Sequence, residues 1–233
     1  MLGIKEVYIN RKKLYAFVSK GQFLKAIQDE KKILIALNAE KLNRRDNRLE
    51  ILIADNIGYA DGIGAVWALK RKGVEGAKIA GAEFWLDIIK AYHQQKSFYF
   101  IGSSESVIQK TITTLKKDFP TLKIQGYRNG YLKEGDKKLL LDDFYEKKPD
   151  VIFVAMGSPK QEFLMQEFYT QYPALYMGLG GSFDVYSGLK KRAPKLFIQL
   201  GLEWFYRLLK EPTRISRQFN LIKFFFKIIF GKL

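Results

Sequence analysis

The run Val151-Ile-Phe-Val-Ala155 carries no polar side chain. A strand of that composition is stable only with both faces covered, the situation of a central strand in a parallel sheet flanked by helices. Similar apolar, β-rich stretches recur at 32–37, 97–101, 122–124 and 174–177, with a weaker one at 56–60. Between them lie segments with helical apolar spacing at 45–54, 63–72, 83–95, 105–118, 135–147 and 160–171. Alternating elements of these lengths predict an α/β fold, a Rossmann-like parallel sheet with flanking helices.

At 233 residues the chain is long enough for one sizeable α/β domain, with little left for a second independent core. The expected division is a core at 1–190 and a basic, amphipathic helical appendage at 191–233. After Ser187, eleven lysines and arginines are opposed only by Glu203 and Glu211. The stretch Phe219-Asn-Leu-Ile-Lys-Phe-Phe-Phe-Lys-Ile-Ile-Phe230 reads as a helix with a wide apolar face and a narrow basic edge at Lys223 and Lys227. Such a helix suits the interface of an anionic membrane, met here through residues 207–233. Packing on the domain or across an oligomer interface is the competing use. Nucleic-acid binding is disfavoured, because the aromatics sit among Leu and Ile rather than singly for stacking.

Lysine and arginine outnumber the acids 40 to 24, a formal charge of +16, so the partner is expected to be anionic. The chain has no cysteine, which excludes a disulfide framework, a thiolate metal site and a cysteine nucleophile. Its one histidine, His93, falls near the end of a helical segment, where an imidazole sits against the last carbonyls. Acid–base work therefore falls to carboxylates. No N-terminal run resembles a signal peptide, and no uninterrupted apolar stretch reaches the ~18–20 residues that cross a bilayer. A peripheral protein is the expectation.

In a parallel sheet, ligands bind at the carboxyl ends of the strands. Three segments fall there. Gly102-Ser103-Ser-Glu-Ser106 joins a glycine turn to a hydroxyl-rich helix start, which offers N–H groups to phosphate or serves as an ordinary cap. Gly157-Ser158-Pro159-Lys160-Gln161-Glu162 follows the most apolar strand. Its glycine permits close approach, its lysine pairs with phosphate, and its glutamine offers a donor and an acceptor to a sugar or base. Gly58-Tyr-Ala-Asp61-Gly-Ile-Gly64 places a carboxylate at a strand end, either as a helix N-cap or as a general base. Asn38 and the loop Gly180-Gly181-Ser-Phe-Asp184 join the same set. A Walker sequence, a full dinucleotide glycine fingerprint and an Asp-x-Asp metal motif are all missing. A metal-independent reaction is the expectation, with a leaving diphosphate held by helix ends and by basic residues such as Arg192, Arg207, Arg214 and Arg217.

Taken in order, Tyr59-Ala-Asp-Gly-Ile63, Ala155-Met-Gly-Ser-Pro-Lys-Gln-Glu162, Gly178-Leu-Gly-Gly-Ser-Phe-Asp184, Lys191-Arg-Ala-Pro194, Leu202-Glu-Trp-Phe-Tyr-Arg207 and Glu211-Pro-Thr-Arg214 resemble the WecG/TagA/CpsF family of bacterial glycosyltransferases. The likeness runs from about Lys31 to Arg217 and looks closest to the WecG branch. The resemblance implies an inverting transfer of N-acetylmannosaminuronic acid from UDP to undecaprenyl-pyrophosphate-linked GlcNAc, in enterobacterial common antigen synthesis. It implies Asp61 as catalytic base. Asn38, Lys78, Gly102, Ser103, the 157–162 turn, Gly180, Gly181 and Asp184 would then hold the donor, and the four arginines the acceptor pyrophosphate. The UDP-sugar is a substrate, so no cofactor is expected. The implied location is the cytoplasmic face of the inner membrane, with homo-oligomerisation left open. Two positions depart from relatives: Ala36 stands where Thr is frequent, and Lys78 where Arg is frequent, which keeps charge but loses the bidentate fork. UDP-N-acetylmannosamine or a UDP-hexose is the rival donor, and a basic membrane or nucleic-acid scaffold the non-enzymatic rival.

Overall fold

The computed structural model describes residues 3–191, 193, 194, 197, 206, 208 and 223–230. In chain order the elements are β1 (Glu6–Ile9), β2 (Lys12–Tyr15), α1 (Lys20–Ile27), β3 (Ile33–Leu37), α2 (Ala39–Asn43), α3 (Asn47–Asp55) and β4 (Ile57–Ala60). Then come α4 (Ile63–Arg71), α5 (Gly81–Tyr92), β5 (Ser97–Gly102), α6 (Glu105–Asp118), β6 (Lys123–Arg128) and α7 (Asp136–Lys147). They are followed by β7 (Val151–Ala155), α8 (Lys160–Tyr169), β8 (Leu175–Gly178) and α9 (Ser182–Tyr186), with a further helix at 223–229. The strands form a sheet in the order β1-β2-β4-β3-β8-β7-β5-β6. The Rossmann-like α/β expectation is met.

Two compact units divide the chain. One is built from residues up to 19, from 36–80 and from the described residues after 190; the other from 20–35 and 81–190.

In the second unit the strands pair in parallel, β8 with β7, β7 with β5 and β5 with β6. Strand alternation explains its two aromatic layers. Phe98, Phe100 and Phe153 share one face, where the fully buried Trp85 of α5 meets Phe153 and Phe183 edge-on at 5.8 and 5.7 Å. Tyr99 points the other way, to Phe144 of α7 at 5.1 Å, which in turn meets Phe168 of α8. Each such ring contributes about 1.5–3 kcal/mol through burial. β6 continues past the expected 122–124 to Arg128, and Gly126 is what permits it: a Cβ there would lie 2.4 Å from the Tyr99 ring. Glycine and a half-exposed polar pattern hid that strand from an apolar reading.

The first unit opens with an antiparallel β1–β2 hairpin that sequence patterning did not predict. Asn10 and Arg11 both adopt positive φ, 46° and 66°, the two-residue turn whose twist suits a hairpin. Lys12 concealed β2, because a lysine at a core-facing position breaks the apolar alternation. Its Nζ is buried yet donates to the Arg44 carbonyl at 2.7 Å and pairs with Glu50 at 3.4 Å, closing the C-terminal end of α2. β2 runs parallel to β4, in register at Tyr15 and Tyr59. The short helices α1, α2 and α9 were also not predicted. Among the described residues, no helix is long and apolar enough to cross a membrane.

Candidate functional site

In the first unit, β3 and β4 deliver two of the expected site residues at their carboxyl ends. Asn38 caps α2, its Oδ1 accepting the Lys41 N–H at 2.9 Å, with the residue itself exposed. Asp61 follows β4, its N–H donating to the Leu37 carbonyl at 3.1 Å, so the ends of β3 and β4 are tied together there. The helix cap proper is Gly62, at φ 93°, so Asp61 stands one residue ahead of the N-cap position that a purely structural reading gave it. Lys78 is exposed and bracketed by two backbone bonds, Ala77 N–H to Phe17 and Ile79 N–H to Ala60. The second bond brings the lysine's segment alongside the residue preceding Asp61.

In the second unit three strand ends converge. Gly102 ends β5 at φ 138°, and a Cβ there would lie 2.3 Å from the Ala155 carbonyl, so this glycine serves strand packing. Ser103, left-handed at φ 54°, donates its hydroxyl to Asp184 Oδ2 at 3.1 Å. Asp184, on α9, also faces Lys190 Nζ at 3.5 Å, so one carboxylate joins the β5 and β8 loops to a cation. Lys190 is the one member of this constellation that sequence reading left out of the site; its place in a run of basic residues made it look like surface charge.

The turn after β7 runs Gly157, Ser158, Pro159 and Lys160 into α8, with Ser158 and Lys160 exposed. The Ser158–Pro159 peptide is cis. Gln161 and Glu162, expected to meet the donor, are buried. The Gln161 Oε1 accepts the Gly180 N–H at 2.9 Å, and its Nε2 donates to Glu162 at 3.3 Å. A Cβ on Gly178 would fall 2.4 Å from that Nε2. Gln161 thus braces the β8 turn from within.

The glycines separate into two kinds. Gly58, Gly102 and Gly178 have backbone or side-chain atoms where a Cβ would stand. Gly62, Gly157 and Gly180 have positive φ and open space on that side, one at each of the ends of β4, β7 and β8. Open, left-handed glycines at strand ends let a ligand approach the backbone closely. Gly181 lies beside Asp184 and is exposed.

The start of α6 is electrostatically different from that of α8. The Asn129 and Gln109 amides hold the Glu105 carboxyl below its ordinary range, donating to it at 2.6 and 2.8 Å. An ionised carboxylate in the first turn already satisfies the positive helix end and repels phosphate. At α8 the first turn holds the exposed Lys160 together with a buried carboxylate, Glu162.

His93 lies one residue past α5 with Nδ1 3.2 Å from the Ile89 and Lys90 carbonyls, as its position suggested. Among the described residues, no three His, Asp or Glu side chains gather as a metal site. Arg192, Arg207, Arg214 and Arg217 lie outside the described residues.

Residues 9–233 match the profile of the Glycosyl transferase WecG/TagA/CpsF family. The chain belongs to that family. The match begins well before Lys31 and extends beyond Arg217, so it includes the Asn10-Arg11 turn, β2 and the helix at 223–229. The protein is a glycosyltransferase of polysaccharide synthesis, a class that works from a nucleotide-sugar donor on a lipid-linked acceptor.

Proposed function

We propose that this glycosyltransferase moves N-acetylmannosaminuronic acid from UDP to the 4-hydroxyl of undecaprenyl-pyrophosphate-linked GlcNAc, at the cytoplasmic face of the inner membrane in enterobacterial common antigen synthesis. The observation that carries the reading is Asp61, fixed through its N–H at the end of β4 and followed by the open Gly62. Its carboxylate takes the acceptor proton as the hydroxyl oxygen bonds to the anomeric carbon. The bond from that carbon to the diphosphate breaks in the same displacement, UDP departs with the electron pair, and the configuration inverts.

The donor diphosphate is assigned to the Gly157–Lys160 turn, where an open glycine, a helix start and a cation coincide. With an exposed Glu105 carboxylate and no first-turn lysine, the α6 start is assigned as the weaker phosphate site. Gly180, Gly181 and Asp184 are assigned to the sugar and ribose, with Ser103 and Lys190 orienting Asp184. Gln161 and Glu162 act from behind the turn, and Asn38 and Lys78 flank Asp61 on the first unit. Lys and Arg, rather than a metal ion, stabilise the leaving UDP, with Arg192, Arg207, Arg214 and Arg217 assigned to the acceptor pyrophosphate.

The donor is tested by offering UDP-N-acetylmannosaminuronate and UDP-N-acetylmannosamine side by side to a soluble-tailed GlcNAc-pyrophosphate-lipid. Preference for the uronate supports the assignment. Preference for the neutral sugar moves the enzyme to another polysaccharide and leaves the chemistry standing.

A further inference from the structure

Three strand-end loops of the second unit meet at Gly130. Its N–H donates to the Ser103 carbonyl at 2.8 Å, joining the loop after β6 to the loop after β5. An added Cβ would stand 3.1 Å from Gly102 Cα and 3.2 Å from both Ser103 N and Met156 Cγ, so glycine is what lets the chain pass this close. Met156 directly precedes Gly157, and Ser103 holds Asp184 through its hydroxyl. The turn at 129–131 thus lies against both segments assigned to the donor.

Side chains fix the rest of that turn. Asn129 donates its Nδ2 to Glu105 Oε2 at 2.6 Å and accepts the Tyr131 N–H on Oδ1 at 3.0 Å. Gln109, one turn along α6, donates to the other Glu105 oxygen at 2.8 Å. Asp136 closes the far end of the loop, accepting from Arg128 at 2.8 Å and from the Lys133 N–H at 2.7 Å.

The chemistry of Glu105 decides which way the Asn129 amide faces. A carboxamide can present either its oxygen or its nitrogen to a neighbour, whereas an ionised carboxylate only accepts. The two amides that donate to Glu105 hold it ionised below the ordinary range. Asn129 therefore meets it with Nδ2, and Oδ1 is left for the Tyr131 N–H. The reversed amide would set oxygen against carboxylate and one N–H against another, and both contacts repel. An exposed glutamate on α6 thereby sets the backbone of Tyr131, whose side chain is 75% exposed.

We propose that Glu105 is a positioning residue for donor binding: through the Asn129 amide it holds the 129–131 turn against Ser103 and Met156, as a wall of the donor site beside Asp184. This rests on the assignment of Asp184 and the 157–160 turn to the donor. It also gives the carboxylate a use compatible with its repulsion of phosphate, because the diphosphate is assigned to the start of α8 and not of α6.

Glu105→Ala, Glu105→Gln and Asn129→Ala are compared with the wild type by calorimetric titration with UDP, by transfer kinetics and by amide hydrogen exchange over 129–135. Glu105→Ala should speed exchange at Tyr131, weaken UDP about five-fold and raise KM for the donor to match, with kcat unchanged. Its urea midpoint should also hold, since the side chain is exposed. Glu105→Gln keeps an acceptor oxygen for Asn129 and should restore most of the affinity. Asn129→Ala should copy Glu105→Ala, and the double variant should be no worse than either. Tighter UDP binding by both Glu105 variants overturns the proposal, because it reveals a carboxylate that only repels phosphate. Unchanged affinity in Glu105→Ala overturns it too, and leaves the donor assignment standing while the wild type binds UDP. A wild type that binds no UDP removes the donor assignment and the proposal together, even where exchange at Tyr131 responds to the variants.

Discussion

Asp61, Lys12 and the glycines each make a separable prediction. Asp61→Asn keeps the size and loses the basicity, so kcat should fall by about 10²–10⁴-fold while UDP affinity, measured by calorimetric titration, stays within error. Gly157 and Gly102 both have positive φ, but only Gly102 faces backbone where a Cβ would stand. Gly157→Ala should cost about 1 kcal/mol of stability and weaken UDP binding, whereas Gly102→Ala should lower the urea midpoint further. Lys12 holds the Arg44 carbonyl and Glu50 in a buried position. Lys12→Met leaves those acceptors unpaired, and a loss of about 1–3 kcal/mol in urea denaturation is expected. Burial, partly offset by Glu50, lowers the Lys12 pKa from its ordinary 10.5. Between the lowered value and 10.5 the unfolded chain binds more protons at this site, so its contribution to stability rises with pH across that window. Lys12→Met should remove that alkaline rise; an unchanged slope would assign it to another group.

The elements show where sequence patterning succeeds and where it stops. β7 matches the expected 151–155 and α6 matches 105–118, because a fully apolar run and a long amphipathic period each admit one answer. The β1–β2 hairpin escaped because its turn is Asn10-Arg11 rather than a glycine pair, and because Lys12 occupies a core position. α2 and α9 are five residues each, too short for a period to emerge. In the site, strand-end glycines, Asp61 and Asp184 were legible as residues. The inward turn of Gln161 was not, since a buried amide and a ligand-facing one look alike until the Gly180 N–H is seen beside it. That bond couples the start of α8 to the β8 turn. Gln161→Ala should therefore raise KM for the donor several-fold with a smaller effect on kcat, because it leaves the Gly180 N–H unpaired and the turn displaced. An equal fall in kcat and kcat/KM, with KM unchanged, would point to a role in the displacement itself.

For the whole molecule, 40 basic residues against 24 acidic ones and a basic, aromatic C-terminal segment set the expected partner as an anionic surface. Deleting residues 218–233 should abolish sedimentation with phosphatidylglycerol vesicles, and raising salt should weaken binding of the intact chain. Undiminished sedimentation of the shortened chain would move the lipid contact elsewhere. Family membership makes the protein a glycosyltransferase, and the finer claim is a metal-independent transfer driven from the end of β4. The most direct test is a transfer assay with UDP-N-acetylmannosaminuronate and a soluble-tailed GlcNAc-pyrophosphate-lipid, run with excess EDTA and read by mass of the product. The account predicts a disaccharide-lipid formed at the same rate with and without the chelator. A product that vanishes with EDTA and returns with a divalent ion would contradict it, and would place a metal where Lys160 and the arginines are assigned.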